Sequence, residues 1–175
     1  MGYSRQEVKQ RAFDALVVGA GAAGLRAALE LARAGRSVAV LCKEHALRAP
    51  TVGAWDGISA ALEEGDDWRA HAADTMHAGD ALCEQDAVEW MCAQAPRVVR
   101  ELERWGMPFE RGADGAPAQE VGSGHGAVGG DTVPRVCTAG ERTGHAVQHT
   151  LWQQCLAAGC EFLHEWLALE LLFTD

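Results

Sequence analysis

The chain lacks closely spaced cysteines. Its six, Cys42, Cys83, Cys92, Cys137, Cys155 and Cys160, form no CxxC pair, and most lie among apolar neighbours. That spacing excludes a zinc finger and a disulfide-framed secreted miniature, and it predicts reduced, buried thiols. A basic surplus is missing too. With Lys+Arg 15 against Asp+Glu 25 the formal net charge is -10, which argues against any phosphate-tracking surface and excludes nucleic acid as a partner. A bound anionic cofactor would have to be held by backbone amides. No stretch approaches the roughly 20 uninterrupted apolar residues of a membrane-spanning helix. The first eleven residues are polar, with charges of both signs, unlike a secretory leader. The expectation is a cytoplasmic chain, compatible with peripheral docking on the cytoplasmic side of a membrane complex.

What remains is 175 residues with 48% hydrophobic content and 20 glycines, the profile of one globular domain. A chain of about 150 residues hides roughly two thirds of its unfolded surface, so the core needs no staples.

The opening segment is the most informative. Phe13 to Val18 is a short apolar run, followed by Gly19-Ala20-Gly21-Ala22-Ala23-Gly24 and then the helical pattern of Leu25 to Ala34. Leu25, Ala28, Leu29 and Ala32 share one face, and Arg26 and Glu30 form an i,i+4 pair on another. Gly35 is placed to cap the helix in the left-handed conformation. Ser37 to Cys42 is a second β-branched run, which completes a β-α-β unit with parallel strands. The three glycines act mechanically, each in its own way. Gly19 permits the sharp exit from the strand, Gly21 lets a pyrophosphate approach the backbone, and Gly24 lets helix and strand pack closely. A lone GxGxxG is weak, but strand, turn, helix and strand in this order make it a dinucleotide fingerprint.

One part of the fingerprint is absent. A carboxylate for the ribose hydroxyls is expected about 20 residues after the glycines, yet the second strand ends Leu41-Cys42-Lys43. Either Glu44 reaches the ribose from the loop, or the adenosine is held by backbone and Lys43.

Farther along, the pattern predicts a helix over Asp66 to Gly79 with Trp68 and Met76 toward the core. Another is predicted over Cys83 to Ala95 with Val88, Met91 and Cys92 on one side. Pro96 should open a third, running through Val98, Val99, Leu102 and Trp105 to Gly106. Gly112 to Gly130 reads as a loop in which His125 is exposed. Thr143 is the expected N-cap of a helix over Ala146 to Ala158, with Val147, Thr150, Leu151 and Leu156 facing the core. Glu161 to Phe173 reads as strand, first rejoining the parallel sheet, then starting a β-meander.

These runs resemble a known family. DALVVGAGAAGLRAALELARAGRSVAVLCK, TVGAWDGISAAL, DTMHAGDALCEQDAVEWMCAQAPRVVRELERWGMPF, ERTGHAVQHTLWQQC and FLHEWLALEL are similar to the flavoprotein subunit of succinate dehydrogenase and fumarate reductase, over about Ala12 to Phe173. QDAVEWM, GMPF and RTGHAVQHTLWQQ are the distinctive pieces. The resemblance implies an α/β, Rossmann-like FAD-binding domain with a parallel sheet, cut before the capping domain. Residues 1–12 would be a polar lead and 13–175 the incomplete domain. It implies FAD, with the pyrophosphate at Gly19, Ala20, Gly21, Ala22, Ala23 and Gly24, the adenosine near Cys42 and Lys43, and the flavin ring beside the loop carrying Thr51 and Gly57. It also implies hydride transfer between a dicarboxylate and FAD, with electrons passed to an iron-sulfur subunit beside membrane anchor subunits.

Three departures qualify that expectation. Where the respiratory members read like SHTVAAQGGI, with the histidine joined to the flavin, this chain has Pro50, so FAD is expected to be non-covalent. His45 has the wrong spacing from Thr51 for that role and reads as a solvated loop histidine. Trp55-Asp56 replaces Gln-Gly, and Asp56 stands against dicarboxylate binding. Val121 to His125 loosely replaces PFGGQ and has lost its aromatic residue. The catalytic groups of the family lie outside these 175 residues, so no catalytic or metal-binding residue is assigned. Two alternatives stay open: part of a relative with non-covalent FAD, such as L-aspartate oxidase or a soluble fumarate reductase, or a catalytically silent nucleotide-binding remnant.

Overall fold

The computed structural model describes residues 10–126, 130 and 132–173, so most of the polar lead and part of the Gly112 to Gly130 loop lie outside the described residues. The β-α-β unit forms as its pattern predicts: β1 (Ala15–Val18), α1 (Ala22–Arg33) and β2 (Val38–Cys42), with β1 and β2 parallel and Val17 opposite Val40. Gly35, at φ +78°, closes α1. Its N–H donates to the Ala32 carbonyl and that of Arg36 to the Leu31 carbonyl, the paired bonds of a left-handed helix cap. Arg26 reaches Glu30 at 2.8 Å and also Glu101 at 2.8 Å on a later helix.

β6 (Glu161–His164) joins the other edge of β2 in parallel, giving the order β1-β2-β6. As the central strand β2 is buried along its whole length, whereas Leu16 and Val18 on the edge strand are half exposed. α1 packs against α4 (Thr143–Ala157), and the main core joins Leu25, Ala28 and Leu29 of α1 to Val38 and Val40 of β2 and to Leu151 and Cys155 of α4. Met107 and Phe109 of the GMPF motif are buried in the same core.

A second, antiparallel sheet was not legible in the sequence. β3 (Ile58–Ser59) and β4 (Glu120–Val121) flank β5 (Pro134–Cys137), in the order β3-β5-β4. α2 (Trp68–Ala78) packs on α3 (Gln85–Arg104) through Ala72, Val88 and Cys92, with Trp68 and Met76 against them.

Several expectations need correction. Pro96 does not start a new helix: α3 runs straight through it for 20 residues. Its buried stripe, Val88, Cys92, Ala95, Val99 and Leu102, continues on both sides of the proline. Burying side chains such as Val99 and Leu102, worth about 1.5–3 kcal/mol each, outweighs the ~3 kcal/mol of an interior proline. Met91 is half exposed, because the stripe passes on either side of it. Leu156 is likewise half exposed, and the polar Gln148 takes a buried place on α4. Thr143 is the first helical residue and Arg142 the N-cap. The Thr143 hydroxyl instead accepts the Ala139 N–H and donates to the Gly140 carbonyl.

Strand geometry stops at His164, far short of Phe173. Glu165 has φ +61°, and the alternating Leu167, Leu169, Leu171 and Phe173 pair with no strand among the described residues and lie exposed. All six cysteines are free, five of them buried, and burial pushes the Cys155 thiol up to about 12.

Candidate cofactor-binding site

A cavity of about 330 Å³ opens at the carboxyl ends of β1 and β2, where parallel α/β sheets place ligands. Gly19, Ala20 and Gly21 form one wall. Cys42, Lys43, Glu44 and His45 form the other, and Arg48, Ala49 and Pro50 complete the rim.

The glycine wall is shaped by hard contacts. Gly19 has φ +106° and donates its N–H to the Leu41 carbonyl at 2.9 Å, so the chain leaves β1 sharply while still tied to β2. A Cβ on Gly24 would sit 2.1 Å from the Gly19 carbonyl oxygen, which forbids any side chain between helix and strand. A Cβ on Gly21 would meet only Thr51 Oγ1, at 3.5 Å. The protein itself tolerates a side chain at Gly21, so the open space there is a cradle that a Cβ would fill.

Two side chains brace this turn from a distance. The N-cap of α1 is Gly21, which has no side chain, and Thr51 supplies the missing cap by accepting the Ala22 N–H at 3.0 Å. Buried Gln148 donates through Nε2 to the carbonyls of Ala20 at 2.6 Å and Ala46 at 2.8 Å, fastening the glycine turn to the opposite wall. Among the described residues no partner faces the N–H groups of Ala20, Gly21 or Ala23. Free amides at a helix N-terminus suit an anionic group, and with the cradle at Gly21 they fit a pyrophosphate.

A family model described as FAD binding domain matches residues 14–175. The chain belongs to this FAD-binding family. It is 44% identical over 169 residues to the succinate dehydrogenase flavoprotein subunit of Rickettsia felis, covering 93% of this chain and 28% of the relative. It is 38% identical over 163 residues to the fumarate reductase flavoprotein subunit of Mycobacterium tuberculosis, covering 91% and 27%. Among solved structures, a quinol-fumarate reductase with menaquinol molecules matches with a TM-score of 0.81 at 33% identity, covering 93% of this chain and 28% of that one. The chain spans under a third of the length of these relatives.

In this FAD-binding chain the two ends of the expected site are unequally gathered. Cys42 and Lys43 share the cavity with Gly19 to Gly21. The Cys42 side chain is buried, its Sγ 3.7 Å from His164 Nδ1, and burial raises its thiol above the usual range. Lys43 and Glu44 are exposed at the rim, and Glu44 is the one carboxylate among the lining residues. Ala22, Ala23 and Gly24 follow the cavity wall as the first turn of α1. Thr51 stands behind the glycine turn and not in the cavity lining.

Gly57 lies elsewhere. It has φ +101°, and a Cβ there would come within 2.5 Å of Val136 Cγ1 and 2.9 Å of the Cys137 carbonyl, so the second sheet packs directly on it. Trp55 and Asp56 just before it are exposed.

The strand behind Gly57 is anchored by a buried ion triad. Arg135 on β5 donates through Nε and Nη2 to both Asp66 oxygens at 2.7 Å, and through Nη1 to Asp74 Oδ2 at 2.7 Å. The three side chains are 1%, 5% and 4% exposed. Asp74 Oδ2 also accepts the Gly126 N–H at 2.8 Å, which folds the 122–126 turn back over α2. For that reason His125 is half-buried, not exposed, and meets buried His71 edge-on at 5.7 Å. Burial first, and the nearby Arg135 charge second, hold both imidazoles below their ordinary range. An arginine inside a short β-run, with two aspartates eight residues apart, was the available signal for this triad. A glutamine within the apolar stripe of α4 was the signal for Gln148.

Proposed function

We propose that this chain is the N-terminal part of the FAD-binding domain of a succinate dehydrogenase or fumarate reductase-type flavoprotein, and that it holds FAD without a covalent bond. One observation carries the reading: a single cavity joins the free amides of the glycine turn to the end of β2, with Pro50 in its rim. The N–H groups of Ala20, Gly21 and Ala23 receive the pyrophosphate, aided by the α1 dipole and by Ala22 and Gly24 in the same turn. Cys42 and Lys43 border the adenosine. Thr51 holds the turn in its binding shape, and Gly57 lets the next loop pass close to the second sheet on its way to the flavin ring. Pro50 offers no nucleophile for attachment.

FAD, when bound, supplies the two-electron chemistry that these side chains lack. In the whole protein this chemistry would serve hydride exchange with a dicarboxylate, and electrons would pass to an iron-sulfur subunit beside membrane anchor subunits on the cytoplasmic face of the membrane. Support for this comes from the names of the longer relatives, both succinate dehydrogenases and fumarate reductases. A second reading, a relative with non-covalent FAD such as L-aspartate oxidase or a soluble fumarate reductase, is favoured by Pro50, whereas exposed Asp56 favours the catalytically silent remnant.

The test is to purify the chain with FAD, remove excess by gel filtration, and run the sample on a denaturing gel. Whatever flavin the folded protein holds is expected to leave it on denaturation. A fluorescent protein band on the gel would overturn non-covalent binding, and a folded chain without flavin would favour the silent remnant.

A further inference from the structure

The end of β2 carries no acidic residue, yet the cavity wall at that point is not featureless. His45 lines it three residues beyond Cys42, and its ring is held from several sides. Nδ1 lies 3.2 Å from the Leu47 N–H. A backbone N–H can only donate, so Nδ1 is the acceptor and the neutral ring carries its proton on Nε2. One face of the ring stacks on His164, with centroids 4.3 Å apart and planes 11° from parallel, and Trp152 stands tilted at 5.9 Å. His164 is itself backed by Phe162, stacked at 5.6 Å, and by the Cys42 thiol at 3.7 Å.

These restraints fix an exposed side chain whose Nε2–H meets no partner among the described residues. Ordering it costs rotamer entropy, and within the protein the ordered N–H does nothing. Beside the cavity it is a pre-oriented donor.

We propose that His45 is a cofactor-binding residue whose Nε2–H donates to a ribose hydroxyl oxygen of the adenosine half, at the end of the cavity where dinucleotide folds usually place a carboxylate. The proposal rests on reading the cavity as the FAD site. It inverts the usual polarity: a carboxylate accepts the hydroxyl protons, whereas an imidazole N–H uses the hydroxyl lone pairs and leaves the protons to Glu44 on the same wall.

The test measures FAD and ADP affinity of the full chain and of His45→Phe, which keeps the ring stack but has no donor, and His45→Gln, which keeps an N–H donor. A neutral hydrogen bond corresponds to about a three- to tenfold change in affinity. His45→Phe should weaken both ligands by that factor, and His45→Gln should stay within about twofold to threefold of wild type. ADP lacking both ribose hydroxyls should bind wild type and His45→Phe alike. Equal ADP affinity of wild type and His45→Phe would overturn the assignment of His45 alone. So would an equal loss in Phe and Gln variants that melt like wild type, since that would make the effect one of loop packing. A folded wild-type chain that binds neither FAD nor ADP would overturn the cavity reading, and this proposal with it.

Discussion

Replacing Arg135 by methionine keeps most of the side-chain volume and removes the cation from between two buried carboxylates. Three charge-assisted hydrogen bonds at 2.7 Å are lost, and Asp66 and Asp74, 5% and 4% exposed, lose the guanidinium that bridges them. Breaking a buried pair from one side costs about 3–5 kcal/mol, a large share of the roughly 5–15 kcal/mol that holds a domain together. For a chain of this size that corresponds to a fall of roughly 6–20 °C in Tm.

The pH dependence carries the sharper signature. In wild type, burial pushes the Asp66 carboxyl up, but the hydrogen bonds and charge of Arg135 outweigh it and hold the group below its ordinary 3.8. That contribution is present above 3.8 and lost as pH falls through the folded value. Without Arg135 the main counterweight to burial is gone, so the folded Asp66 carboxyl holds its proton more tightly than in wild type and the stability it contributes at neutral pH shrinks. The deficit relative to wild type should therefore be larger at pH 7 than at pH 4.5. Urea unfolding at both pH values measures it. The triple change Arg135→Met, Asp66→Asn, Asp74→Asn should recover most of the loss, since no charge is left buried. A deficit under about 1 kcal/mol, or one independent of pH, would refute the reasoning.

Further outcomes follow from the same contacts. Burial holds the His71 and His125 imidazoles below their ordinary 6.5, so stability should drop as pH falls from about 6.5, and His71→Gln should flatten that slope in a Tm series from pH 7.5 to 5. Gly24→Ala sets a Cβ against the Gly19 carbonyl and should cost about 1–3 kcal/mol in urea unfolding while weakening FAD binding. Thr51→Val removes the hydroxyl that caps α1 and should lower stability by about 1 kcal/mol. Gln148→Glu turns an oxygen toward the Ala20 and Ala46 carbonyls and should leave the chain with no cooperative melt, or a much lower one.

The β1-α1-β2 unit was legible because each of its parts is locally determined. Apolar runs set the strands, Gly19 and Gly35 adopt positive φ, and Gly24 is demanded by one backbone contact. Features set by distant partners were not. Pro96 is a local break signal, and only the stripe that α3 buries on both sides of it explains the continuous helix. The alternation from Glu161 to Phe173 is a strand signal, yet a strand needs a neighbour, and pairing with β2 ends at His164 opposite Cys42. Gly19 to Gly21 were legible from the motif and Cys42 and Lys43 were placed by resemblance, and all five line one cavity. Thr51 and Gly57 were placed by resemblance, and in the fold they touch the glycine turn and the second sheet, respectively. Gln148 and the Arg135 triad act across 60 to 130 residues of sequence, where periodicity carries no information.

The central claim is that the cavity at the ends of β1 and β2 is an FAD site, and an equilibrium titration of FAD into the folded chain tests it most directly. Quenching of flavin fluorescence should saturate at one FAD per chain and be reversed by ADP, which carries only the half that this cavity borders. A chain that melts cooperatively but shows no saturable FAD binding, or binding that ADP does not displace, would contradict the account.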